Sequence, residues 1–175
     1  MDFMSDALMN GRKIRLLNVM DDFNREMLAI EVDTSLTGER VTRVVDQIAD
    51  WRGKPDQIRV DNGPEFISTA FVSYCNQKGI KIKYIQPGKP VQNGYIERMN
   101  RTIREDVLDA YLFENLEQVR ELTQKWMEDY NQNYPHKGLG MLSPRAYAVN
   151  SGKLEKSFPQ FTAGYDDDEL IFGKI

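Results

Sequence analysis

Residues 14–33 read IRLLNVMDDFNREMLAIEVD. Ile14, Leu16, Leu17, Val19 and Met20 make a mostly apolar strand, and residues 26–33 alternate well enough for another. The polar stretch between them is short, so the two strands run antiparallel. Upstream, residues 2–9 read as a preceding strand that turns back at Asn10-Gly11, a hairpin signal. The chain therefore opens as a three-stranded meander.

Downstream the periodicity changes. Val41, Val44, Val45, Ile48 and Trp51 fall on one face of a helix opened near Thr37 and closed by Gly53 and Pro55. Residues 57–60 form a short buried strand ending at Asp61, where Asn62-Gly63 forces a turn. Ile67, Phe71 and Cys75 mark a second helix that stops at Gly79, and residues 81–85 alternate as a fifth strand. After a loop rich in Pro, Gly and Gln over 86–93, Ile96, Met99, Ile103, Val107 and Tyr111 predict one long helix. Leu116, Val119, Leu122, Trp126 and Tyr130 predict another. Ser143-Pro144 caps a short helix over 145–149. This order predicts an α/β fold with a five-stranded mixed sheet flanked by helices, the element order of the RNase H-like fold.

The chain has 175 residues, a formal charge of −4, one histidine and one cysteine. A lone Cys75 excludes an internal disulfide and a Cys-based zinc site, and it fits a reducing compartment. No apolar run approaches the length of a membrane span, and the N-terminus lacks a signal-peptide pattern, so a cytoplasmic location is expected. Net acidity argues against a dedicated nucleic-acid binder. The charge is segregated, however. Residues 78–104 carry seven basic side chains against Glu97 alone, while 105–129 carry eight acids against Arg120 and Lys125. Such a basic stretch is either a footprint for phosphates or a solvated face.

Asp61 ends a buried strand at a sheet edge, where α/β sites form, although an Asp before Asn-Gly is also an ordinary turn former. Glu97 sits in the first turn of a helix, where an acid also complements the helix dipole. Glu97, Arg101 and Arg104 share one helical face, and 35 residues separate Asp61 from Glu97. With VDNGPEF (60–66), NGYIERMNRTIRED (93–106), YNQNYPHKGLGMLSP (130–144) and DDFNR (21–25), this spacing resembles the DDE transposase and retroviral integrase superfamily. The closest group is the bacterial insertion-sequence transposases. The likeness covers about residues 1–149, as an integrase core domain, and leaves 150–175 as a C-terminal tail.

The resemblance implies a catalytic and metal-binding set of Asp2, Asp61 and Glu97. Asp2 on the first strand is preferred over Asp6 and Asp21. It implies two Mg²⁺ or Mn²⁺ ions in the active complex, DNA (element ends and target) as partner, self-association, no membrane, and a bacterial cytoplasm. Three carboxylates suit a hard cation that keeps several waters. The expected activity is metal-dependent phosphodiester cleavage and strand transfer by a DNA transposase. The alternatives are a catalytically silent DNA-binding or assembly module, and a nuclease that hydrolyses without joining. Lys89, Arg101 and Arg104 are the expected DNA contacts. Glu65 is an outer acid or a turn contact, His136 a packing or capping residue, and Trp51, Trp126 and Cys75 are core.

Overall fold

The structure, a computed structural model, describes residues 1–86 and 90–152. Strands β1 (Asp2–Ala7), β2 (Lys13–Met20) and β3 (Met27–Asp33) form an antiparallel sheet in the order β1-β2-β3. Gly11, at a φ of +79° that a side chain resists, turns β1 into β2. The register sets Asp2 opposite Asn18 and Asp6 opposite Ile14.

Helix α1 (Gly38–Arg52) is capped by the Thr37 hydroxyl, which accepts from the Arg40 N–H. Strands β4 (Gln57–Val60) and β5 (Lys81–Tyr84) are parallel and are joined through α2 (Thr69–Lys78), a βαβ unit. Ser68 caps α2, and Gly79 ends it in the left-handed region. Three helices come after β5: α3 (Gly94–Ile103), α4 (Leu116–Asn133) and α5 (Pro144–Asn150), whose N-cap is Ser143. Among the described residues no helix is long and apolar enough to cross a membrane.

Alternation along β2 divides the interior. Leu17 and Val19 face one core with Val41, Val44, Phe66 and Phe71, beneath α1 and α2. Ile14 and Leu16 face the other with Val32, Ile103, Val119 and Met127, beneath α3 and α4. Helices therefore cover both faces, as the periodicities require.

Two expectations need correction. The five-stranded mixed sheet is instead two sheets, of three and two strands. The reason is local: among the described residues, one main-chain bond links the β1 side to β4, from the amino nitrogen of Met1, just ahead of β1, to the Arg59 carbonyl at 2.8 Å. One bond makes no ladder, and the junction otherwise rests on side chains such as Phe3 and Phe66, with ring centroids 5.1 Å apart. The long helix through Tyr111 also breaks. After α3 the backbone widens into a π turn over Arg104–Leu108, and the Asp109 N–H reaches the Arg104 carbonyl at 2.8 Å. Tyr111 is left 53% exposed, off the stripe its spacing suggested.

Buried Asn131 locks α4 to β3. Its side chain accepts from the Met27 N–H and donates to the Met27 carbonyl, each at 2.8 Å. Asn131→Ala strands both groups where water is excluded, so a loss of about 2–4 kcal/mol is expected. Urea denaturation checks this as a lower midpoint with an unchanged slope.

Candidate active site

Asp2 opens β1 and is half-buried. Its Oδ1 accepts from the Phe3 N–H at 2.9 Å, and its Oδ2 accepts from Asn100 Nδ2 at 2.7 Å. Asn100 Oδ1 in turn accepts from Asn18 Nδ2 at 2.8 Å. Asn18 is fully buried on β2, directly across the ladder from Asp2. Two neutral amides thus form a relay that ends on a carboxylate, while Asn18 Oδ1 stays buried with no partner among the described residues.

Asp61 follows the last residue of β4, and its Oδ1 accepts from the Gly63 N–H at 2.9 Å. A Cβ on residue 63 would lie 2.9 Å from that oxygen, so a side chain there would push the Asp61 carboxylate aside. Asn62 Nδ2 donates to the Ile85 carbonyl at 3.2 Å, and the Tyr84 hydroxyl donates to the Phe66 carbonyl at 2.9 Å. Both bonds tie the turn to β5 and its end. Glu97 lies in the first turn of α3, exposed, three residues before Asn100.

These elements put the three acids in one electrostatic neighbourhood. Burial raises the Asp2 pKa above its ordinary value, and the charges of Asp61 and Glu97 add to the rise. The Phe3 N–H and the terminal ammonium pull the other way. Burial lowers that ammonium to about 6. The donor set, carboxylate oxygens alone, fits a hard divalent cation. Among the described residues, no three acidic, His or Cys side chains are drawn close enough to form a ready cage.

The integrase core domain signature matches residues 1–90, just over half of the chain, and a second form of it matches residues 78–144. The chain belongs to the integrase core domain family. It is 45% identical over 150 residues to an uncharacterised 39.2 kDa protein of insertion element IS476 from Xanthomonas euvesicatoria, covering 86% of this chain and 43% of that protein. It is 41% identical over 148 residues to an uncharacterised 31.7 kDa protein of insertion element IS407 from Burkholderia multivorans, covering 85% and 53%. The chain thus spans about half the length of these relatives. In fold it is similar to the HTLV-2 integrase catalytic core domain in complex with magnesium, at TM-score 0.62 and 22% identity over 83% of this chain and 94% of that one. The BIV integrase catalytic core is alike at TM-score 0.61 and 21% identity, over 86% and 93%.

Within this integrase core, the remaining expected residues separate. Lys89 lies outside the described residues. Arg101 is exposed. Arg104 bonds the Ser5 carbonyl at 2.8 Å and lies 3.6 Å from Asp6 and 3.5 Å from Asp109, so it fastens the end of α3 to β1. Asp6 belongs to that contact. Asp21 accepts from the Phe23 N–H and from Arg52, so it serves the turn after β2. Glu65 pairs with Arg15, whose guanidinium stacks on Phe3 at 4.3 Å, so it braces the Asp61 turn against β2. His136 bonds the Tyr130 hydroxyl at 2.8 Å in a packed aromatic group, and burial lowers its pKa. Buried Cys75 has its thiol pushed up to about 11 by desolvation, which leaves it inert.

Sequence reading missed Asn18 and Asn100. The signal was available. Asn100 comes three residues after Glu97, hence on the same face of α3, and Asn18 falls in an otherwise apolar strand.

A carboxyl whose pKa is raised on folding binds its proton more tightly when folded, so its ionisation opposes folding as pH rises. Asp2→Asn removes that opposition, and the amide relay can reverse by flipping Asn100 and Asn18, which gives Asn18 Oδ1 a donor. The metal-free variant is expected to melt at the same or a higher temperature than the parent at neutral pH. The gap should shrink toward zero below the ordinary Asp range. Melts across pH check the sign, and a variant less stable at every pH would refute it.

Proposed function

We propose that this chain is the catalytic domain of a DNA transposase, which cuts phosphodiester bonds and joins 3′-hydroxyl ends to target DNA with a divalent metal. The observation that carries the reading is the shared field of Asp2, Asp61 and Glu97, brought from a strand, a turn and a helix that are far apart in sequence. Membership of the integrase core family and relatives from insertion elements support it.

On this reading Asp2, Asp61 and Glu97 would hold Mg²⁺ or Mn²⁺. When bound, one or two such ions supply charge neutralisation at the phosphate and a more acidic attacking water or hydroxyl. The chain's own residues orient the ligands. Asn100 holds Asp2 through one oxygen, and Gly63 lets Asp61 sit tight against the turn. No histidine base is used, because His136 is committed to Tyr130. Arg101, which is exposed, and Lys89 are the proposed phosphate contacts. Arg104 would first have to leave Ser5 and Asp6, or serve DNA through the position it gives α3. DNA as substrate, self-association in the active complex and a bacterial cytoplasmic setting belong to the same reading.

The second reading, a silent DNA-binding or assembly module, draws support from the lack of a ready three-ligand cage among the described residues. A melt with Mn²⁺ separates the two. Metal binding only the native state should stabilise the parent by about 2.7 kcal/mol at 100 times its dissociation constant. Asp61→Asn and Glu97→Gln should lose most of that gain, together with nicking and joining of a labelled duplex. A silent module gives no metal-dependent shift and no product in either protein.

DNA affinity supplies an independent check. Loss of one phosphate contact flattens the log–log salt dependence by about 0.9. Lys89→Ala and Arg101→Ala are each expected to do so with little dependence on DNA sequence. If neither changes slope or affinity, the 78–104 stretch is solvated surface only.

A further inference from the structure

Two tyrosine rings stand out of the protein surface: Tyr95 is 51% exposed and Tyr134 is 44% exposed. A chain of contacts links them. Arg25 lays its guanidinium over one face of the Tyr95 ring, with Cζ 3.4 Å from the centroid. The Arg25 carbonyl accepts from the Tyr130 hydroxyl at 3.2 Å. Tyr134 packs on Tyr130 and on His136, with ring centroids 5.2 and 5.4 Å away. Arg98 is exposed on α3 three residues after Tyr95, so the two are neighbours on the helix surface.

Three observations specify what such a surface takes. Its charge is positive and uncompensated. Glu26, the chain neighbour of Arg25, is buried and lies against Arg52 and Arg145 instead, at 3.0 and 3.7 Å. Arg25 Nη1 has no hydrogen-bond partner among the described residues. Burial, then the charges of Arg25 and Arg98, lower the His136 pKa, and no carboxylate opposes them. The backbone is strained to keep the arrangement, because Arg25 holds a left-handed φ of +63° that a side chain resists. Finally, cations and open rings occur together. A free phosphate would use the guanidiniums and leave the rings idle, and a duplex keeps its base faces stacked inside. Unpaired nucleotides offer a phosphate and an open base face in alternation.

We infer that Tyr95, Arg25, Arg98 and Tyr134 form a seat for an unpaired DNA strand, beside the proposed acids rather than among them. One base stacks on the open face of Tyr95 and extends the Arg25–Tyr95 stack, and another stacks on Tyr134. Arg98 lies between Tyr95 and Glu97 around the circumference of α3, so a phosphate on it leads the strand toward Glu97. The seat rests on the proposed function for the identity of its ligand, DNA. It asks nothing of the metal or of catalysis.

The test titrates a fluorescently labelled oligothymidine of about ten nucleotides into the full chain without metal, with a duplex of equal length in parallel. Tyr95→Ala and Tyr134→Ala are each expected to weaken single-strand binding about tenfold and to leave duplex binding within about twofold of the parent. Tyr95→Phe keeps the ring and should retain the parent's affinity. Arg98→Ala should flatten the log–log salt dependence of single-strand binding by about 0.7. Unchanged single-strand affinity in both alanine variants, equal losses for strand and duplex, or a Tyr95→Phe variant as weak as Tyr95→Ala overturns the inference. So does a change in the sedimentation of DNA-free Tyr134→Ala with strand binding unaltered, which assigns the patch to a second copy of the chain. Nicking of the duplex with Mn²⁺ is scored separately. A parent that makes no product yet shows the expected strand binding sinks the catalytic reading and supports the seat, whereas nicking with no ring-dependent strand binding does the reverse.

Discussion

Carboxylates gathered in a half-buried place repel, and their neighbours must oppose that repulsion without relaxing. Here the Phe3 N–H and the terminal ammonium oppose it at Asp2, and one side-chain amide ties that carboxylate to its neighbours. Asn100 donates to Asp2 and accepts from Asn18, so α3, β1 and β2 meet at a single point. The bond fixes the rotation of α3 about its axis, and so where Glu97 stands, because three residues separate the two along the helix. A charged donor in place of Asn100 would satisfy Asp2 more strongly and would cancel much of the negative field of the acids. A neutral amide supplies direction without neutralisation.

The same helix is held at its other end by contacts from distant parts of the chain. Arg25, at a left-handed φ of +63°, lays its guanidinium over the Tyr95 ring at 3.4 Å, and its carbonyl accepts from the Tyr130 hydroxyl at 3.2 Å. A non-glycine residue there implies strain held by its surroundings. Those surroundings are buried Asn24, which donates to Glu26 and to the Pro144 carbonyl, and buried Glu26, which receives Arg52 at 3.0 Å and Arg145 at 3.7 Å. A carboxylate so enclosed is tolerated only while its cations stay in place. The turn after β2 and the segment after α4 thus form one brace behind the first turn of α3.

How much of this could be read from sequence depends on the range of each interaction. The strands and helices were legible because their signals are local: period, caps such as Thr37, Ser68 and Ser143, and turn glycines at 11, 53 and 79. Asp61 and Glu97 were marked as candidates by their spacing and by the motif blocks around them. The continuity of the sheet was not, since it depends on which backbone groups lie beside β4, and no side-chain pattern in β1 encodes that. The π turn was not either. Val107 stays buried as a straight helix would have it, and the widening acts only on the residues beyond it, shedding Tyr111. Arg104 shows the limit most clearly. Its place on the Glu97 face comes from arithmetic, yet its commitment to Ser5 depends on how close α3 comes to β1.

That commitment bears on how an acidic chain could meet DNA. An approaching phosphate backbone finds three carboxylates at the proposed site, and bare acids repel it. The basic side chains nearest in sequence are unevenly available. Arg104 is occupied, whereas Lys81, Lys83, Arg98 and Arg101 are exposed on β5 and α3. They flank the Asp61 turn and Glu97 rather than lying among the acids. Attraction at the rim and repulsion at the centre would position a strand across the site without seating a phosphate in it, until the central charge is neutralised. On the proposed reading, DNA engagement and cation binding are then coupled through the charge of Asp2, Asp61 and Glu97. On that reading, the acidity that argues against nucleic-acid binding in the composition becomes, at the proposed site, the condition on which close contact depends.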